Sequence, residues 1–322
     1  MFWRAVLDRL DAGMPVFIAL VVANTRGSPG TVGARLLVDG AGAVEGTIGG
    51  GIMEARLLAA ARKGLQAGQD APPALLRLEH RNKPDTAHPS GLICAGEQTN
   101  LHCWLQPARD ARAIRAFCAA LSSDGDGTAT LLIDASGLRV TADSVAGGLM
   151  LQADGERWRY RESSIHPDRV VIVGGGHCGK ALARLADAVG YVVDVFDTRP
   201  EAFADTAAWP MDVRRYRLDD YAELSQRVRW PALATVAVMT TAMREDVVAL
   251  SNLAELPLRW LGVMGSVAKI HEIRRQLAAR GIAQERIDAI HGPIGLPMKS
   301  DTPAEIAVSI MAAWLTARMA VR

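Results

Sequence analysis

Only four cysteines occur in the 322 residues, at positions 94, 103, 118 and 178, and no two form a C-x-x-C pair. That spacing does not describe a disulfide framework. Excess charge of one sign is missing too. Thirty-six Lys and Arg against 35 Asp and Glu leave a formal net charge of +1, whereas a surface dedicated to nucleic acid carries a marked basic excess. Long hydrophobic runs are absent: the longest unbroken one, Val16–Ala23, has eight residues, and a membrane span takes about 20. The charged N-terminus, Met1 to Gly13, has no apolar core of the kind a secretory signal needs, so a cytoplasmic protein is expected. Neither a Gly-x-Ser-x-Gly elbow nor a His-Glu-x-x-His helix occurs, so the usual hydrolytic signatures are lacking.

What is present is a glycine motif in a telling context. Val170–Val173 is an apolar strand, followed by Gly174-Gly175-Gly176-His177-Cys178-Gly179, a helix over 180–189 and a second strand over 192–197 that ends on Asp197. Gly174, Gly176 and Gly179 supply G-x-G-x-x-G: one glycine for the tight turn, one for close approach to a phosphate, one for helix–sheet packing. Asp197 stands 23 residues after Gly174, where dinucleotide folds place an acid that accepts from a ribose hydroxyl. Lys180 after Gly179 also completes G-x-x-x-x-G-K, but Ala181 stands where a P-loop needs its magnesium-binding hydroxyl. A phosphate-bearing ligand at the helix N-terminus is the inference. His177 is a candidate ligand contact, and Cys178 a candidate thiol activated by the helix end. Strand and helix alternate on to residue 280, which predicts a parallel sheet covered on both faces. Val267, Ile270, Ile273 and Leu277 form an apolar stripe there. The last helix opens with Thr302, Pro303 and Glu305, a capping-box pattern.

The chain length allows about two domains. The first half predicts a mixed α+β domain over 1–165, with a variable linker region at about 107–165, and the second a Rossmann-type domain over 166–322. In the first half, strand Val16–Ala23 leads into the loop Arg26-Gly27-Ser28-Pro29-Gly30, and a hairpin over 34–48 leads into Gly49-Gly50-Gly51 and a helix to Gln66. Three successive glycines leave amides unobstructed for an anion or a flat heterocycle. Arg26 and Ser28 are candidate phosphate contacts, and Glu54 lies on the first turn of the helix. Cys94, in a glycine-flanked loop, is a candidate nucleophile or sulfur carrier. His102 and Cys103 are adjacent on a strand and point to opposite faces, so they do not chelate one ion together.

These motifs in their order resemble the XdhC/CoxI family of accessory factors for xanthine dehydrogenase and related molybdenum hydroxylases. The stretches are Thr25-Arg26-Gly27-Ser28, Gly33–Val38, Gly46–Gly51 with Glu54, and Cys94-x-Gly96-Glu97. In the second half they are Gly174–Gly179, Asp197-x-Arg199-Pro200-Glu201, Gly262–Ser266 with Gly265 and Ser266 at the ligand edge, Ile294–Leu296 and Thr302–Ala307. The chain departs from the family pattern at Cys178, at 240–244, at 267–269 and at 298–300. The resemblance implies a chaperone that binds molybdenum cofactor (molybdopterin) and shields it while a cysteine desulfurase sulfurates it. The protein then inserts it into an apo-dehydrogenase, commonly acting as a homodimer. Cys94 is then the sulfur-contacting candidate, and Arg26 or Arg199 a charge partner of the pterin phosphate. The alternatives are an NAD-dependent oxidoreductase, in which Asp197 meets the ribose, and a nucleotide-sensing module without chemistry.

Overall fold

The computed structural model describes residues 2–79, 96–122, 128–142 and 148–320. The chain divides into two units, Met1–Ile165 and His166–Arg322.

The first unit runs α1 (Phe2–Asp11), β1 (Val16–Asn24), β2 (Arg35–Asp39), β3 (Val44–Thr47), α2 (Gly51–Gln66), β4 (Ala74–Glu79), β5 (Glu97–Leu105) and α3 (Pro107–Ser122). The strands form one antiparallel sheet in the order β3-β2-β1-β5-β4. The apolar run becomes the central strand because both its faces are covered. Val16, Ile18, Leu20 and Val22 pack with Trp3, Leu7, Ile114 and Phe117 of α1 and α3. Phe17, Ala19 and Val21 pack with Met53, Ala61 and Leu65 of α2. Alternation alone would have left one face wet; continuity of the run reports two covers.

Within 107–165 the sequence predicts a helix over 110–121 and weak hairpin strands near 128–133, 137–141 and 148–151, in a variable linker region. There α3 and a second antiparallel sheet form, with one further strand in the charged stretch after 154. The strands of this sheet are β6 (Thr130–Asp134), β7 (Gly137–Thr141), β8 (Leu149–Asp154) and β9 (Arg157–Ser163), in the order β7-β6-β9-β8. Leu131, Ile133 and Tyr160 enter the core beneath α1. Buried Glu162 accepts from the Trp3 indole (2.8 Å) and the Tyr160 hydroxyl (2.9 Å) and pairs with Arg35 (2.9 Å). Both α1 and β9 lie in stretches that read as merely charged. In α1, Trp3, Val6, Leu7 and Leu10 are the buried stripe. In β9, Arg157, Arg159 and Arg161 alternate with Trp158, Tyr160 and Glu162, a period-two strand written in charged residues.

The second unit runs β10 (Arg169–Val173), α4 (His177–Ala188), β11 (Val192–Asp197), β12 (Arg214–Arg217), α5 (Leu224–Arg227), β13 (Ala234–Val238), α6 (Met243–Leu253), β14 (Trp260–Val263), α7 (Val267–Ala279), α8 (Gln284–Asp288) and α9 (Pro303–Ala320). All five strands are parallel, in the order β12-β11-β10-β13-β14. One face packs against α6 and α7, the other against α4 and α9. The order reverses between β10 and β13, which opens the ligand crevice of such sheets at the C-terminal ends of these strands. Strand β12, Arg-Arg-Tyr-Arg, escapes a hydrophobicity reading because it is the edge strand, where charge guards the unpaired side. Ile270, Ile273 and Leu277 of the expected stripe are buried, but Val267 is exposed at the first residue of α7. The capping box at α9 forms: the Glu305 amide donates to Thr302 Oγ1 (3.2 Å), and Glu305 Oε2 accepts from the Thr302 amide (2.8 Å).

Candidate functional site

Two strand–glycine–helix junctions gather the candidate residues, one in each unit. In the first, β3 passes through Ile48–Gly50 into α2. Gly49 has φ +124°, and a Cβ there would lie 2.7 Å from the Gly30 amide nitrogen, so close packing on the Arg26–Gly30 loop requires glycine. Gln98, fully buried on β5, ties the parts together. Its Oε1 accepts from Ser28 Oγ (3.0 Å) and the Gly30 amide (3.0 Å), and its Nε2 donates to the Ile48 carbonyl (2.9 Å) and Asn100 Oδ1 (2.8 Å). The structure therefore brings Ser28, Gly49 and β5 together. Arg26 is exposed on the same loop, with no hydrogen-bond partner among the described residues. Cys94 lies outside the described residues; Gly96, two positions on, packs on the Ser28 amide.

The amides of Ile48, Gly49 and Gly50 are already taken. Glu54 Oε2 accepts from the Thr47 hydroxyl (2.6 Å) and the amides of Ile48 (2.8 Å) and Gly50 (3.1 Å), while Thr47 Oγ1 takes the Gly49 amide (3.1 Å). Burial opposes charge on Glu54, but the Thr47 hydroxyl and the two amides outweigh it and hold its pKa below the ordinary value. A phosphate beside this carboxylate meets repulsion of about 4 kcal/mol at about 4 Å near a protein surface. A net hydrogen bond returns only about 1 kcal/mol. The turn expected to approach an anion or a flat heterocycle thus carries a carboxylate of its own, Glu54, bonded to the amides of Ile48 and Gly50.

The second junction has the opposite polarity. A Cβ on Gly174 would strike the Met239 carbonyl, and one on Gly179 the Gly174 carbonyl, so these glycines are fixed by backbone contact. Gly176 differs: its nearest neighbour to such a Cβ is Arg199 Nη2 at 3.9 Å, so its outer side is open. The amides of Gly176, His177 and Cys178 precede the first i−4 acceptor of α4 and make no backbone bond elsewhere among the described residues. They point with the helix dipole toward any anion above the loop. His177 is exposed at the first position of α4. Cys178 is half-buried, and burial raises its thiol pKa. Lys180 sits with its ammonium over the Trp209 ring (5.7 Å).

Asp197 ends β11 fully buried. Its Oδ2 accepts from the Gly175 amide (2.7 Å) and Arg199 Nη2 (2.7 Å), and its Oδ1 from Arg199 N (2.8 Å) and Nε (3.0 Å). Burial works against its charge, but the Arg199 and Gly175 hydrogen bonds prevail and lower its pKa. Further along the same edge, Ser266 caps α7 by accepting from the Lys269 amide (3.3 Å), and Gly265 leaves room for the Lys269 stem. Lys269 reaches back to buried Asp246 (2.5 Å), which also accepts from the Thr240 amide (3.1 Å) and hydroxyl (2.7 Å). Gly174–Gly179, Asp197, Arg199, Gly265 and Ser266 thus share the C-terminal edge of one parallel sheet. Gln98, Thr240 and Asp246 were missed by sequence reasoning. The only trace of Gln98 was an amide at an inward strand position beside Asn100.

A glycine loop at the switch point of a 3-2-1-4-5 parallel sheet defines a Rossmann domain, and the family comparison agrees. The model of the XdhC Rossmann domain matches residues 170–313, and that of the XdhC and CoxI family matches residues 9–79. The chain belongs to the XdhC and CoxI family. It is 25% identical over 296 residues to the uncharacterized protein YqeB of Escherichia coli strain K12, covering 92% of this chain and 42% of that one. The chain thus spans about two fifths of the length of this curated relative. A crystal structure of a xanthine dehydrogenase from Bacillus halodurans superimposes with a TM-score of 0.72 at 22% identity, covering 99% of this chain and 96% of that one. At that identity the likeness shows the fold.

Proposed function

We propose that this protein is an accessory factor that binds molybdenum cofactor, holds it for sulfuration and inserts it into xanthine dehydrogenase or a related molybdenum hydroxylase. The observation that carries the reading is the second junction. Open amides at Gly176–Cys178 and the Arg199 guanidinium, fixed on a buried carboxylate, face one loop at the ligand edge of the sheet. That donor set fits the phosphate of a pyranopterin. Membership in a family of accessory factors supports the role of carrier rather than catalyst. The cysteine desulfurase and the apo-dehydrogenase are the partners this role requires, with a homodimer as the working form and the cytoplasm as its place. Among the described residues, no helix is long and apolar enough to cross a membrane. Cys94 is the proposed sulfur contact, on its sequence motif alone.

The test is retention. Purified protein is mixed with cofactor released from a donor molybdenum enzyme and gel-filtered, and the protein fraction is assayed for molybdenum and oxidised pterin. Near-stoichiometric amounts of both, reduced at least about tenfold by Gly176→Trp, are expected. Loss of both from the wild-type fraction would end the carrier reading.

A further inference from the structure

Resting on the reading that the Rossmann cleft holds its cargo by a phosphate, we propose that the Asp197–Arg199 pair makes this cleft selective for a phosphomonoester over a ribose diol. An acid at the end of the second strand serves a ribose only if a carboxylate oxygen remains free to accept. A carboxylate offers roughly four lone-pair sites. At Asp197 the Gly175 amide and three Arg199 donors fill them, and the side chain has no exposed surface. Asp197 is therefore a positioning residue: it orients Arg199 and pins the glycine loop through the Gly175 amide.

What the ligand meets is Arg199. Its grip on Asp197 uses Nε and one hydrogen of Nη2, leaving Nη1 and the second Nη2 hydrogen unengaged among the described residues. The side chain is 31% exposed, and Nη2 lies beside the open side of Gly176. A planar fork of donors matches two oxygens of a phosphate. A phosphomonoester carries about −1.5 to −2 charge at neutral pH, against a single negative charge on a diester and none on a diol. The donors left at this edge favour the group with the most charge, and the one acceptor a diol would need is occupied.

NADP and NAD differ by one phosphomonoester on the ribose and serve as probes. Titration calorimetry of the full-length protein is expected to show NADP binding about tenfold tighter than NAD, the value of one charge-assisted contact. Arg199→Ala should collapse the ratio to about twofold or less, and Arg199→Lys should restore part of it. Asp197→Asn should weaken NADP more than NAD and so narrow the ratio, with a thermal melt confirming that the variant is folded. The exposed Arg199 variants keep the test informative should Asp197→Asn unfold. Absence of NADP binding, equal affinities for the two, or an Asp197→Asn variant that weakens NAD at least as much as NADP, would overturn the proposal. Cofactor retention without NADP preference would sink the pair's role and leave the carrier reading standing; preference without retention would do the reverse.

Discussion

Gly49-Gly50-Gly51 and Gly174-Gly175-Gly176 read alike: each ends a strand, opens a helix and is followed by a polar residue in the first turn or just beyond. Folded, they are electrical opposites. The first turn is closed by a carboxylate of its own helix, since Glu54 takes two of its amides and the hydroxyl of Thr47. The second sends its carboxylate inward, where Asp197 holds Gly175 and Arg199, so the uncapped amides of its helix start stand beside a cation, whereas those of α2 stand beside Glu54. A glycine triplet before a helix thus specifies room, not charge. The sign of the site comes from where the nearest acid finds its donors.

The largest break in this comparison is expected from swapping one methyl group between the two turns. Gly179→Ala drives a Cβ into the Gly174 carbonyl, backbone against backbone, so α4 must lift from β10. The cost should reach at least about 3 kcal/mol, seen as an early melting step of the second unit. Gly50→Ala meets nothing within 4 Å and costs only its backbone strain, at φ +73° and ψ −164° in a region essentially reserved for glycine, about 1–3 kcal/mol. Equal losses in the two variants would mean that the second turn is as loose as the first.

The next effect sharpens the electrical contrast. Glu54→Ala strips the acceptor from three donors and should cost the first unit about 1–2 kcal/mol, discounted for partial exposure. Hydrogen exchange should quicken at the Ile48 and Gly50 amides. Folding lowers the Glu54 pKa, so the ionised form is the stabilising one. Its contribution is complete above the unfolded carboxylate pKa of about 4.3 and disappears as pH falls through the lower folded value. The stability gap between wild type and Glu54→Gln, measured by urea denaturation at a series of pH values, should be widest near neutrality and close under acid. A gap that persists in strong acid would remove the carboxylate from this role.

The Rossmann unit was legible because its signals are local and redundant: an apolar strand, glycines at fixed offsets, a helix and a distal acid. The same logic recovered β1, whose unbroken run reports two covered faces. Strands β9 and β12 were not legible, because edge position and alternation with arginine hide them from hydrophobicity. The candidate residues were placed in the fold by position but not by partner. Asp197 and Glu54 stand at the expected places, yet which amides and cations saturate them depends on Arg199 and Gly175 in one case and Thr47 and Ile48 in the other. Gln98 is the extreme case, since from β5 its contacts reach two loops that no window of sequence contains.

The smallest structural change carries the sharpest functional contrast. Gly176 has φ −71°, which any residue adopts, and a Cβ there would approach only Arg199 Nη2, at 3.9 Å. Gly176→Ala should therefore leave the melting temperature within about 1 °C of wild type, since surface changes without strain cost under about 0.5 kcal/mol. The new methyl group would nevertheless stand between the amides of 176–178 and the Arg199 fork, where a phosphate must come within about 3 Å of its donors. Cofactor retention should then fall several-fold in a protein of unchanged stability. Gly50→Ala, in the turn already closed by Glu54, should cost stability but leave phosphate-dependent binding alone. Were Gly50→Ala the variant that lost the ligand and Gly176→Ala the one that kept it, the polarity assigned to the two turns would have to be exchanged.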